Sequence, residues 1–316
     1  MSTYAVGLDL GGTRIKAALV EKSEGLLEQT SLETGADKGP SHILDRLHEA
    51  VVEVSDGSDI EGLGIGSPGF ISWDRSTVST PRNLPRWDSV NVREELQERL
   101  GSNLPVIVEN DANVAGLGSA FFGAGKPFDS FIMVTLGTGV GGAIIYEKEI
   151  FRGSTGGAGE IGHVSIDYEG PLDRYGVKGA IEAYIGSNFL THHARYRLLN
   201  KTESKIHDMA DVELRELTPK MLHEAARQGD LPAREVLAWA GHKLGHTLGS
   251  VINLLDIRKI VVGGGMSQAG EFILEPARQT MHEAVMVGMK EDVELVRETL
   301  GNEAGMLGAA RLVFQP

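Results

Sequence analysis

Leu8-Asp9-Leu10-Gly11-Gly12-Thr13 returns later in the chain as Val134-Thr135-Leu136-Gly137-Thr138-Gly139, with Gly11 falling over Gly137 at an offset of 126. The residues that follow also match: Ala17-Ala18-Leu19-Val20-Glu21-Lys22 lies over Ala143-Ile144-Ile145-Tyr146-Glu147-Lys148. Each copy reads as two apolar strands joined by a tight glycine turn, Tyr4 to Leu10 and Ile15 to Val20 in the first. A self-similarity of this length points to duplication, although hairpins also resemble one another. Two related halves, each opening strand, glycine turn, strand, predict an α/β protein of two domains facing each other across a cleft.

Outward from these hairpins, Ile43, Leu44, Leu47, Val51 and Val54 recur at helical spacing over residues 41–54. Gly62 to Gly66 and Val106 to Val108 read as short buried strands, and a helix is predicted from Asp111 to Phe122. After Gly179 the chain turns mostly helical. Residues 232–252 predict one long helix, with Pro232 in its first turn and Leu237, Leu244, Leu248 and Val251 as its buried stripe. A strand from Lys259 to Val262 runs into Gly263-Gly264-Gly265. The Gly- and Ala-rich segment from Ala304 to Leu312 predicts a closely packed terminal helix. The domains are expected at 1–115 with 303–316, and at 116–302.

A chain of 316 residues is long enough for two cores, and 41% hydrophobic with 23% charged residues is the balance of a soluble globular protein. No apolar run approaches the roughly 20 residues that span a bilayer, and Met-Ser-Thr-Tyr-Ala-Val lacks the features of a signal peptide. With no cysteine there is neither a disulfide nor a thiolate metal site, which points to the cytoplasm. The net charge of −14 and the lack of any Lys/Arg cluster speak against nucleic acid as a partner. They do not speak against a phosphorylated ligand, which backbone amides can bind unaided. The 41 glycines cluster in short runs, where backbone turns sharply or comes close to a ligand.

Asp9-Leu10-Gly11-Gly12-Thr13 sets a carboxylate beside a glycine turn. Its N–H groups and the Thr13 hydroxyl suit phosphate oxygens, and Asp9 suits Mg²⁺, directly or through water; the other reading is a plain hairpin turn. Leu136 to Gly142 is a second such turn. Neither is a P-loop, because Gly-Lys-Ser/Thr is missing at the required spacing. Gly263-Gly264-Gly265 offers bare backbone to adenine and ribose, or is simply a tight strand-to-helix connection. In Glu109-Asn110-Asp111-Ala112-Asn113, Asp111 either caps the helix it opens or takes a proton from an attacking hydroxyl while Asn110 binds another. Gly156-Gly157-Ala158-Gly159-Glu160-Ile161-Gly162-His163, with Glu182 beyond it, either recognises a polyol or is a solvated acidic loop. His242 and His246, four apart on the long helix, read as ordinary polar-face histidines.

These motifs, in this order from about Tyr4 to Arg311, resemble the ROK family of sugar kinases and related repressors. The resemblance implies an actin/hexokinase-like (ribonuclease-H-like) fold with an inter-domain cleft. It also implies ATP with Mg²⁺ as cofactors and phosphorylation of a hexose hydroxyl, glucose being the first expectation ahead of mannose, N-acetylhexosamine or fructose. Asp111 then corresponds to the catalytic base, and Asn110, Glu160, His163 and Glu182 to sugar ligands, with Gly69 and Asn83 lining the same pocket. Asp9, Gly11, Gly12, Thr13, Lys16, Thr138, Gly139, Gly264 and Gly265 are expected on the nucleotide side, Asp9 as the Mg²⁺ residue. A homo-oligomer, dimer or tetramer, is implied as well.

One departure stands out. Where relatives carry Cys-x-Cys-Gly-x-x-Gly-Cys-x-Glu, whose cysteines bind zinc together with the loop histidine, this chain has Asp173-Arg174-Tyr175-Gly176-Val177-Lys178-Gly179-Ala180-Ile181-Glu182. No zinc site is expected, and the loop is expected to be held by apolar packing of Tyr175 and Ala180. The ATP-dependent kinase has two rivals. A polyphosphate-dependent kinase would want a basic groove, and a sugar-responsive repressor would want a DNA-binding segment ahead of Asp9, which only eight residues precede.

Overall fold

The computed structural model describes residues 3–55 and 57–315. Met1, Ser2 and Pro316, which belong to the terminal stretches discussed above, and Asp56 lie outside the described residues. The chain forms two compact units, Met1–Met133 with Ala143–Gly159 and Glu298–Pro316, and Val134–Gly142 with Glu160–Arg297. The division falls elsewhere than at 115/116 and 302/303 because the helix that begins at Asp111 packs against the terminal helix. Gly118 and Gly308 let those two backbones meet: a Cβ on Gly308 would sit 1.6 Å from the Val114 carbonyl oxygen.

In the first unit β1 (Tyr4–Leu10), β2 (Arg14–Glu21), β3 (Gly25–Glu33), α1 (Pro40–Ser55) and β4 (Ile60–Ser67) follow in order. A small sheet comes next, β5 (Phe70–Ile71), β6 (Thr77–Ser79) and β7 (Ser89–Asn91), then α2 (Val92–Leu100), β8 (Val106–Asn110) and α3 (Asp111–Phe122). The large sheet has the order β3-β2-β1-β4-β8. Alternation sends Val6, Leu8 and Leu10 of β1 into one core with Ile43, Leu44 and Leu47 of α1. Ala5, on the opposite face, packs with Met306, Leu307 and Ala310. β1 and β4 run parallel with Asp9 opposite Gly66, and β4 and β8 run parallel with Gly66 opposite Glu109. Asp9, Glu109 and Asn110 therefore share one edge, the carboxyl end of three parallel strands, where α/β sheets commonly bind ligands.

The turn between β2 and β3 is fastened by Glu21, whose carboxylate accepts from the Ser23 hydroxyl, Ser23 N–H and Glu24 N–H. These bonds, the Ser23 hydroxyl first, lower its pKa to about 2. A depressed carboxylate pKa gives stability that is complete above the unfolded value of 4.5 and is lost as pH falls from there toward about 2. Acid titration by NMR is expected to show Glu21 protonating far below the exposed glutamates; a midpoint near 4.5 would contradict it.

The second sheet contains β9 (Phe131–Leu136), β10 (Val140–Tyr146), β11 (Glu149–Ile150), β12 (Lys259–Gly263) and β13 (Glu294–Arg297). Its order, β11-β10-β9-β12-β13, repeats that of the first sheet position for position, so the repeat seen in sequence extends to topology. The division between units runs through β9 and β10. The helices here are α4 (Glu182–Ile185), α5 (Ser187–Leu198), α6 (Pro219–Arg227), α7 (Leu231–Leu255) and α8 (Glu271–Ala284); α9 (Ala304–Val313) closes the chain and belongs to the first unit. Asp230 caps α7 by accepting from Ala233 N–H, and Pro232 occupies its first turn. Gly241, Gly245 and Gly249, one per turn of α7, allow the close approach of α8, where a Cβ on Gly241 would lie 2.3 Å from the Ile273 carbonyl oxygen.

Candidate functional site

In the first unit the sheet edge gathers the residues read from the motifs. Lys16 stands opposite Asp9 in register, its ammonium 3.6 Å from the carboxylate. Burial nevertheless raises the Asp9 pKa, with Lys16 opposing. A desolvated carboxylate of this kind fits a divalent cation. Among the described residues no three His, Cys, Asp or Glu side chains are placed to hold a metal together, so such an ion would draw on phosphate oxygens and water as well. Between β1 and β2, Gly11 N–H donates to the Arg14 carbonyl and the Thr34 hydroxyl donates to the Gly11 carbonyl. Thr13 is exposed at the tip. Asn83 lies against this turn, since a Cβ on Gly12 would come within 3.0 Å of its carbonyl oxygen. Gly69 serves the backbone: its φ is 94°, and a Cβ there would meet the Ser79 carbonyl oxygen at 2.7 Å.

At the junction of β8 and α3 the cap is Asn110, not Asp111. Asn110 Oδ1 accepts from Ala112 and Asn113 N–H, while Asp111 is the first helical residue and is exposed. Beneath them lies a charge cluster that the sequence did not reveal. Glu109, fully buried, accepts from Arg75 Nε at 3.0 Å, and the same oxygen forms an ion pair with Arg152 Nε at 2.9 Å that is not aligned as a hydrogen bond. Its other oxygen accepts from Asn110 N–H and Asn113 Nδ2. Arg75 is itself held at φ 59°, an uncommon backbone for a non-glycine residue.

In the second unit the turn between β9 and β10 organises the acidic residues. Glu182, at the start of α4, is buried and accepts from Val140 N–H at 3.0 Å. Gly139 makes this approach possible, because a Cβ there would lie 2.2 Å from Glu182 Oε2. Gly162 gives the Glu160–His163 segment equal access, its absent side chain facing the Val140 carbonyl at 2.0 Å. Glu160 Oε2 lies 3.7 Å from His163 Nε2. Desolvation raises the Glu160 pKa, Glu182 adds to the rise, and His163 opposes it.

The loop between His163 and Glu182 is organised by Asp173, which corrects the expectation of apolar packing. Ala180 is buried, but Tyr175 is half exposed and meets the His163 ring edge-on at 4.7 Å. The Asp173 carboxylate bonds His163 Nδ1 at 2.5 Å and accepts from Tyr175 and Val177 N–H, each at 2.8 Å. Burial works against its charge, yet the bonds from Val177, His163 and Tyr175 outweigh it and hold the carboxyl below its ordinary range.

Gly264, at φ 82°, lets the chain turn beneath β9, where a Cβ would meet the Leu136 carbonyl at 2.4 Å. Gly265 and Gly137 present open backbone to a cavity of about 490 Å³ lined also by Lys220, His223, Leu237 and Gln268. An apolar-walled cavity with bare glycine backbone fits a nucleotide base and ribose. Lys220, His223 and Gln268 carry no signal in the sequence, since only the fold brings α6 beside the glycine run. His242, on the polar side of α7, bonds the Thr280 hydroxyl at 2.7 Å, in keeping with an ordinary histidine.

Two sheets of one order, with glycine turns after their first strands, define an α/β protein of the actin/hexokinase-like, ribonuclease-H-like fold. The chain belongs to the ROK family, whose model matches residues 5–315. It is 32% identical over 308 residues to a glucokinase of Thermotoga maritima, covering 98% of this chain and 96% of that one. A glucokinase of Streptomyces coelicolor is 35% identical over 321 residues, 98% of either chain. Among solved structures, a ROK family glucokinase from Streptomyces griseus in complex with glucose and AMPPNP superposes with a TM-score of 0.85 at 34% identity, covering 99% of this chain and all of that one.

Proposed function

We propose that this chain is an ATP-dependent hexose kinase, transferring the γ-phosphoryl group of ATP to the 6-hydroxyl of its sugar, with glucose as the first acceptor. The observation that carries this reading is the single sheet edge on which the parallel register sets Asp9 and Asn110, with Asp111 following at once as the first residue of α3. The glucokinases among its relatives support both the acceptor and the donor.

Asp111 takes the proton of the attacking hydroxyl, the task of a general base in a transfer otherwise governed by positioning and charge. The cap occupies Asn110 Oδ1 and leaves its Nδ2 hydrogens to donate to a sugar hydroxyl. Glu160, His163 and Glu182 take other hydroxyls, because each one stripped of water needs a new partner. Backbone N–H groups of Gly12 and Thr13, and of Thr138 and Gly139, face phosphate oxygens, with Lys16 as countercharge, while Gly11 closes the turn through its own N–H to Arg14 and brings the backbone close to the phosphates. Gly264, Gly265 and the cavity beside them accept adenine and ribose. Mg²⁺ bound with ATP would neutralise the charge on the phosphates, and Asp9 would hold it directly or through water. The cysteine-free, acidic chain suits the cytoplasm and a place in carbohydrate breakdown, and the family suits a dimer or tetramer.

A coupled assay of ADP release over a panel of hexoses, with polyphosphate as parallel donor, tests the proposal. ATP-dependent, Mg²⁺-dependent turnover, fastest with glucose, is expected. Activity with polyphosphate alone would replace the donor, and no hexose-stimulated turnover with either donor would sink the kinase reading.

A further inference from the structure

The segment 164–180 has no helix and only isolated strand bridges, Ser165 to Ala180 and Leu172 to Lys178. At its centre a carboxylate with no exposed side-chain surface holds three donors: two backbone amides of its own turn and one ring nitrogen of His163. Burying a carboxylate is costly unless hydrogen bonds satisfy it, so Asp173 is there to make these bonds and not merely to fill space. An ionised carboxylate only accepts, so the proton at this contact belongs to Nδ1 of the imidazole. The other nitrogen, Nε2, is then aimed to the side where Glu160 lies 3.7 Å away. Tyr175, edge-on to the same ring, restricts its tilt.

We propose that Asp173 is the positioning residue of the hexose site: it fixes the proton of His163 on Nδ1 and ties the loop at 173–177 to that ring, so that Nε2 meets the sugar in one orientation. The inference rests on the hexose-kinase reading for its effect on the sugar, though not for the bond itself.

Asp173→Asn discriminates. The amide oxygen can keep accepting from Tyr175 and Val177 N–H, since turning the amide would set its NH₂ against two donors. The NH₂ group must then face Nδ1, which becomes an acceptor, and the His163 proton moves to Nε2. In ¹⁵N spectra of histidine-labelled protein, with His163 assigned by its loss in His163→Gln, the wild type is expected to show a protonated Nδ1 and Asp173→Asn a protonated Nε2. The hexose KM is expected to rise about tenfold, as for one well-aligned hydrogen bond lost, with the ATP KM unchanged. Asp173→Glu, which restores the acceptor, is expected to recover part of the loss. An unprotonated Nδ1 in the wild type overturns the inference whatever the variants do. So does an unchanged hexose KM in a variant whose ATP KM shows it to be folded. A wild type that phosphorylates no hexose while His163 shows the expected proton would instead overturn the kinase reading and leave the positioning bond standing.

Discussion

Asp111→Asn is expected to remove turnover while leaving hexose binding nearly intact. The amide matches the carboxylate in shape and still donates and accepts hydrogen bonds, but it has no basic site for the hydroxyl proton. The substitution spares the fold for a local reason. The helix cap belongs to Asn110, and the bond Asp111 Oδ1 accepts from Ala112 N–H at 2.8 Å can be accepted equally by an amide oxygen. Loss of a general base lowers kcat by about 10²–10⁴-fold. Titration calorimetry should return a hexose affinity near that of the wild type, with urea denaturation unchanged. A variant keeping more than about a tenth of the wild-type kcat would remove Asp111 from the role of base.

Much of this arrangement was legible because it is written locally. Alternation and a glycine turn specify the two hairpins, and the start of α3 is marked by a strand ending in Glu109-Asn110-Asp111. The long helix announces itself by Pro232 and a leucine stripe. The strands β5 to β7 are not legible in the sequence, because segments of two or three residues have no periodicity to read. α8 is hard to read from sequence, since Pro276 argues against a helix interior; it stands there in the helix's second turn, packed toward Gly241. The charge cluster on Glu109 was invisible for a different reason. Arg75 and Arg152 lie far from it along the chain, and one sequence cannot pair them. Asp173 stands in plain view in the run that replaces the cysteine pattern, but its residue type alone names no partner. Its acceptor role depends on where the fold puts the His163 ring and two amides of its own turn.

Glu109→Gln is expected to be the most damaging conservative change in the first unit. Glu109 has no exposed surface and holds three donors, Arg75 on one oxygen and Asn110 N–H and Asn113 Nδ2 on the other, with Arg152 as an ion-pair partner beside Arg75. An amide cannot satisfy both sides: if NH₂ faces the arginines it meets two cations, and if it faces Asn110 it meets an N–H. Either way the Arg152 guanidinium, itself almost buried, keeps its carbonyl partners on Ser72 and Trp73 but loses its countercharge. Breaking a buried ion pair by removing one partner costs about 3–5 kcal/mol. The urea midpoint should fall accordingly. The cluster also fixes the backbone at Asn110, one residue before the proposed base, so kcat should drop in the protein that remains folded, and the KM for hexose should rise with it. Asp111→Asn separates the two effects, because it should cost activity without stability. A Glu109→Gln protein within about 1 kcal/mol of the wild type would show that water reaches the arginines and that the sheet edge carries its catalytic pair without this support.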